Sequence, residues 1–317
     1  MNGRVVRGAA FAMLCIVWGS TWLAIKIGLQ GAPAFLGASL RFVVASATLL
    51  VAAALLRSKR PRGWTEWSLV LFVGIVLFTA DYGLIYWGEN NGVESGLSAV
   101  LFATMPLQTA LWAQALIASE RLTLPKLAGI MLGFGGILLI FRTQIGAAGI
   151  GKFFPMLAIV LSATCAAVST VAIKRWGREI DGVSFNGFAM AAGAVALALM
   201  SLAARESWAV PSWPEGILAI LYLALVGSVI TFVAYLWLLR TTEATVMSFI
   251  ALITPIVAIY LGVSLGNEAL EPLDLVGSAI TLIGIYVSTS KRIAAWGRLA
   301  LGTKTEEVGD ALPGHRR

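Results

Sequence analysis

The chain has 317 residues, 59% of them apolar and only 12% charged, with a mean hydropathy of +0.87. A water-soluble domain carries roughly 25% charged residues, so the composition excludes one. The net charge of +7 does not mark a nucleic-acid surface, because the basic residues cluster between apolar runs, where they orient a membrane protein.

A bilayer core needs about 20 apolar residues per helix. Ten segments qualify: Gly8 to Leu29, Phe35 to Leu56, Ser68 to Trp87, Gly96 to Ala118, Lys126 to Phe141, Phe154 to Ile173, Val183 to Ala203, Ile217 to Leu239, Ala244 to Leu265 and Leu273 to Ser288. The first is too long for the apolar core of a signal peptide, about 7 to 15 residues, and it carries Lys26. Arg4, Arg7, the run Arg57 to Arg62, Lys174 to Arg178 and the basic tail all fall on one side if the N-terminus is inside, so both termini are expected in the cytoplasm.

In segment 1, Trp18, Thr21, Trp22 and Ile25 follow the i, i+3, i+4, i+7 spacing of one helix face, with Lys26 at its edge. Hydroxyls and ammonium groups are costly against hydrocarbon, so this face should look into a cavity; interfacial anchoring by tryptophan is the alternative. Segment 2 carries Arg41, which either snorkels to the surface or receives an anionic group. Segment 3 holds Asp81, with Tyr82, Tyr86 and Glu89 following at helical spacing. An acid at that depth is either a proton site or a structural partner for Lys26 or Arg41.

Segment 4 has Thr104, Gln108 and Trp112 at i+4 steps around Pro106, and segment 9 has Ser248 and Thr254 beside Pro255. Proline inside a helix removes one hydrogen bond and displaces the carbonyl four residues back, so Phe102 and Ala251 should offer free carbonyls. Broken helices at matching places in two halves point to a midplane site; a plain kink is the alternative. Segments 5 and 10 carry small-residue faces, Gly129 to Gly136 and Gly277 to Ser288, suited to close helix packing. Glu120 and Glu268 precede them and read as helix-end ties. Segment 6 offers Ser162, Cys165 and Ser169, and segment 8 Ser228, Thr231 and Tyr235. Segment 7, polar only at Ser184 and Asn186, suits a peripheral or mobile gate. Cys15 and Cys165 lie inside segments and make neither a disulfide framework nor a metal site.

The chain repeats itself. Glu94, Pro106, Glu120, Gly129 and Gly136 recur, at a near-constant offset, as Glu243, Pro255, Glu268, Gly277 and Gly284, and Ala24-Ile25-Lys26 recurs as Ala172-Ile173-Lys174. Five segments per unit is an odd number, so the second copy must enter from the opposite face. The expected organisation is a first repeat over 7–142, a Gly-rich connector over 143–153, a second repeat over 154–290 and a polar, disordered tail over 291–317.

Trp18-Gly-Ser-Thr-Trp22, Leu40-Arg41-Phe42, Pro106 with Glu120-Arg-Leu-Thr, and Gly129 to Gly136, with their second-half counterparts, resemble the EamA family of the drug/metabolite transporter superfamily. The resemblance implies an all-α polytopic membrane protein. Its ten helices would form two inverted five-helix repeats around a central cavity walled by helices 1, 3, 4, 6, 8 and 9. It also implies alternating-access export of small metabolites, amino acids above all, with one branch favouring aromatic ones. The second half departs from this at its opening, where Ala163-Thr164-Cys165 and Val171 stand in place of tryptophans.

The expected substrate-binding residues are therefore Trp18, Thr21, Trp22, Tyr82, Tyr86, Thr104, Gln108, Trp112, Ser169, Thr231, Tyr235, Ser248 and Thr254. Lys26, Arg41 and Asp81 are expected to serve coupling or charge pairing, and Pro106 and Pro255 to break helices. No cofactor, metal or nucleic acid is expected. The partners are a small-molecule substrate and membrane lipid, with the chain a monomer or a homodimer through helices 5 and 10 in the cytoplasmic membrane. Another small amphiphile or cation (a drug, polyamine or nucleobase) moved by proton antiport is the alternative cargo. An intramembrane enzyme would want a Ser/His pair or a metal cluster, and the only histidine, His315, lies in the tail.

Overall fold

The structure is a computed structural model that describes residues 3–116, 124–177, 180–208, 214–241 and 250–300. Backbone polar groups in a bilayer must be satisfied within the segment, and the apolar runs duly form helices: α1 (Gly3–Gly31), α2 (Ala34–Leu55), α3 (Gly63–Asn90), α4 (Ser95–Leu116), α5 (Leu124–Ala148), α6 (Phe153–Trp176), α7 (Gly182–Ala203), α8 (214–241), α9 (Ile250–Ser264) and α10 (Pro272–Ala300). Among the described residues, eight helices are long and apolar enough to cross a membrane, and the apolar parts of α9 and α10, Ile253–Ser264 and Pro272–Val287, are shorter. Two boundaries differ from expectation. Helix α5 runs on to Ala148, so the connector shrinks to Gly149, with φ of 77° that only glycine adopts freely, and a single turn of 3-10 helix. Helix α10 continues through Lys291 to Ala300, because Lys-Arg-Ile-Ala-Ala-Trp contains good helix formers rather than breakers.

The packing has a reciprocal plan. Helix α1 packs on α8 and α9, and α6 packs on α3 and α4; α2 lies along α7, and α5 along α10. Exchanging the halves reproduces each pairing. Local geometry echoes too. Helices α3 and α8 both pass through π-helical stretches, Gly74–Asp81 and Leu225–Ile230. Helices α2 and α7 both end on a left-handed arginine, Arg57 (φ 53°) and Arg205 (φ 55°). The α5–α10 contact is close because a Cβ on Gly284 would collide with the backbone of Gly129 and Gly133. The small-residue faces of both helices are therefore used against each other within one chain. Helix α7, expected as a peripheral or mobile gate, packs one face against α2 and α3, with Ser39 Oγ donating to the Ala194 carbonyl at 2.9 Å, and exposes Val195, Leu199 and Leu202.

Candidate functional site

Polar groups collect at several places inside the bundle, among them a link from Gln144 on α5 to Asp274 on α10, and two of these places gather the charged residues of the expected site. The first is central. Arg41 on α2 is 1% exposed, among the most buried large side chains among the described residues. Its Nε donates to Ser228 Oγ at 3.1 Å, and its guanidinium carbon lies 4.7 Å from the Tyr82 ring centroid and 5.3 Å from that of Phe42. Such a cation–π contact is worth about 2 kcal/mol or more when desolvated. Ser228 reaches Arg41 from the π-helical stretch of α8, its own hydroxyl bonded five residues back to Leu223 at 2.9 Å. Asp81 closes the π-helical stretch of α3, a kind of bulge that marks functional sites. Ser162 and the Arg41 charge act on Asp81.

Three polar atoms here are buried without a hydrogen-bond partner, Arg41 Nη1, Asp81 Oδ1 and Tyr86 Oη, and the Ser169 hydroxyl on α6 is likewise buried and unpartnered. Leaving such groups unmade costs about 1 to 3 kcal/mol each, more for charged ones. This is donor and acceptor capacity held in reserve.

Aromatic rings wall this region. Trp18 packs on Phe232 and Tyr235 (centroids 6.2 and 5.4 Å), Phe232 meets Phe78 at 5.9 Å, and Phe78 stacks with Tyr82 and abuts Phe42. Trp22 lies against Phe102 at 5.4 Å. Phe78, Phe102 and Phe232 were not among the expected site residues, because phenylalanine in a membrane helix is ordinary; Ser228 lies on the polar stripe read in segment 8 but was not carried into the expected site.

Other expected residues sit apart or are already engaged. Helix α4 is interrupted by a turn at Ala103–Thr104, one residue before the Met105-Pro106 start of its second part. Gln108 spans that turn, donating to Thr104 Oγ1 at 3.0 Å and the Val160 carbonyl at 3.1 Å while accepting from Thr164. Thr21, Thr104, Thr231 and Thr254 all donate back to carbonyls of their own helices. Pro255 lies inside an α9 that the structure shows unbroken, so the expected second interruption is not formed. Trp112 is 40% exposed and makes no part of the aromatic wall. Ser248, Glu120 and Glu243 lie outside the described residues. A groove of about 500 Å³, lined by Ser68, Phe72, Leu116, Val168 and Trp176, opens between α3, α4 and α6, away from Arg41.

The second place is the end of the bundle where α1 finishes and α4 begins. Lys26 Nζ lies 2.8 Å from Glu94 and 2.9 Å from Glu268. Lys26 is thus not the partner of Asp81, one of the two pairings the sequence left open. A lone ammonium takes the nearest accessible carboxylates, and these come from both halves. Glu268 also accepts from the backbone amides of Ser95 and Gly96 at 2.8 and 3.1 Å, capping α4 from the loop after α9. Burial alone would raise its carboxyl, but the hydrogen bonds from Ser95, Gly96 and Lys26 outweigh that and hold it below the usual carboxylate range. Among the described residues, no three His, Cys, Asp or Glu side chains gather as a metal site.

Comparison with known proteins adds a family. Residues 6–142 and 153–290 each match the EamA-like transporter family. The inner membrane transporter YedA of Escherichia coli K12 is 31% identical over 283 residues, covering 89% of this chain and 90% of that one. The transporter YoaV of Bacillus subtilis is 24% identical over 86% of this chain and 93% of its own. One solved crystal structure, 20% identical, superposes with a TM-score of 0.63 over 91% of this chain and 99% of the other, a likeness of fold.

Proposed function

This chain belongs to the EamA-like transporter family, and on that footing we propose that it exports small zwitterionic metabolites, amino acids first among them, by alternating access. It is a multi-pass protein of the cytoplasmic membrane, and a transporter. In the proposed layout, ten spans form two inverted five-helix repeats with both termini in the cytoplasm. The reciprocal packing of α1 on α8 and α9 and of α6 on α3 and α4 supports the inversion. So do the paired π-helical stretches and paired left-handed arginines. Basic residues between segments support the orientation.

The observation that carries the choice of cargo is the unpaired, buried Arg41 Nη1 together with Asp81 Oδ1. A guanidinium edge suits a carboxylate, and a carboxylate suits an ammonium, so the pair complements a zwitterion. Tyr86 and Ser169 add neutral hydrogen bonds, and the rings of Trp18, Phe78, Tyr82 and Phe232 would cover its apolar part. With these groups packed on one another, the chamber is read as closed and awaiting cargo. Helix rocking at the α4 turn and the two π-helical stretches would open it. Uptake of labelled amino acids into proteoliposomes, with and without a proton gradient, tests this. Saturable movement of at least one amino acid is expected; no movement across a broad panel overturns it, and movement of polyamines or drugs alone transfers the site to a cation.

A further inference from the structure

Glu89, near the end of α3, belongs to neither set of residues described so far, yet it is 7% exposed and neither of its carboxylate oxygens has a hydrogen-bond partner. Its surroundings are crowded with charge. Glu268 from the loop after α9, Lys26 from α1 and Glu94 at the entrance of α4 all act on it, and its own charge reaches Tyr86 one turn earlier on the same helix. From α6, the Ile159 side chain and the Pro155 carbonyl approach the neighbouring Gly88. Ser98, close by on α4, also holds a buried hydroxyl without a partner. With Glu94 and Glu268 already sharing Lys26, a third ionised carboxylate has no cation left to it and no amide to accept from. Burying an isolated carboxylate is so unfavourable that such a group neutralises instead.

We infer that Glu89 is a proton-binding carboxyl whose occupancy decides whether the Lys26–Glu94–Glu268 latch holds. With the proton on, Lys26 is shared by two carboxylates and ties α1 and the α4 entrance to the loop after α9. With the proton off, a third negative charge faces the same ammonium. The cluster then relieves its repulsion by admitting water, and this end of the bundle opens. The step is a simple proton transfer between the Glu89 carboxyl and solvent; no bond beyond O–H forms or breaks.

This deepens the exporter reading and rests on its proposed orientation, in which the latch faces outward. A proton taken from outside closes the outer end and returns the empty carrier inward. Its loss through the inner opening then lets the cargo-loaded carrier open outward. One proton enters for each cargo that leaves.

Two substrate-free measurements on the full-length protein in nanodiscs test the titration. Hydrogen exchange of peptides over 91–98 and 262–268, corrected for intrinsic rates, reads the latch along a pH series. Infrared difference spectra read the carboxylic-acid C=O band. In the wild type, protection should be lost as the pH rises, together with the band. Glu89→Gln should lack the band and keep its protection at alkaline pH, while Asp81→Asn should still show both changes. A Glu89→Gln protein that loses protection as the wild type does, or an Asp81→Asn protein that lacks the band, overturns the assignment. Should Glu89→Gln fail to fold, the wild type still decides: protection and band must move together, and a latch indifferent to alkaline pH refutes it. Failure of every transport panel would sink the exporter reading and leave this titration standing.

Discussion

Replacing Glu268 by glutamine changes one atom and sets donor against donor. One carboxylate oxygen accepts from Lys26 and the Ser95 amide, the other from the Gly96 amide. Whichever way the glutamine amide is turned, its NH2 group faces N–H. The substitution therefore removes at least one hydrogen bond to a charged acceptor, about 1.5 to 3 kcal/mol. It also removes the ionic component of the Lys26 contact, where the Glu268 side chain is fully buried and screening is weak. The surviving Lys26–Glu94 pair, each side chain 31% exposed, is worth at most about 1 kcal/mol. A net loss near 3 kcal/mol is expected in the closed state, on the order of a hundredfold in the open-to-closed ratio. Hydrogen exchange over 262–268 and 91–98 should accelerate by that factor near neutral pH, with exchange in the α5–α10 contact unchanged. Acceleration below about threefold would refute the latch.

Acid should loosen the same contact by a separate route. The folded-state carboxyl of Glu268 lies below its ordinary value near 4.3. Its stabilisation is therefore complete above that value and lost as the pH falls through the folded one. Combined with proton loss from Glu89 at the alkaline side, latch protection should be bell-shaped in pH, and Glu89→Gln should flatten only the alkaline arm. Arg41→Lys should cut transport at least tenfold while leaving thermal stability near that of wild type, because an ammonium over the Tyr82 ring cannot also present the planar pair of donors; undiminished uptake would exclude Arg41 from the cargo site. Gly284→Val should destabilise by roughly 1 to 3 kcal/mol or more, through overlap with Gly129 and Gly133 backbone that cannot move aside. An unchanged melting temperature would contradict the close α5–α10 packing.

Helix existence was legible because the apolar runs are long enough to span, and the close-packing faces of α5 and α10 because glycine spacing advertises close approach, though not that the two faces meet within one chain. The buried polar residues were legible as exceptions to hydrocarbon: Arg41, Asp81 and Tyr86 stand out in any hydropathy trace. Their partners were not. Lys26 meets Glu268, 242 positions away in the chain, and only the fold supplies that neighbour. The π-helical stretches around Asp81 and Ser228 leave no mark in periodicity, since one extra residue per turn shifts a stripe without breaking it. Proline proved an incomplete guide. Helix α4 turns just before Met105-Pro106, whereas α9 runs through Pro255 intact, because a proline removes one hydrogen bond and the surrounding packing decides whether the helix yields.

Side-resolved labelling of a single cysteine at Ser169, with Cys15 and Cys165 replaced, asks whether the buried polar centre is open to one face of the membrane at a time. Ser169 is fully buried and unpartnered at its hydroxyl. In oriented membranes an impermeant thiol reagent should reach it only from the cytoplasmic face while the latch is closed, and only from the opposite face once Glu268→Gln releases it. Labelling from both faces at once, or from neither under any condition, would contradict alternating access.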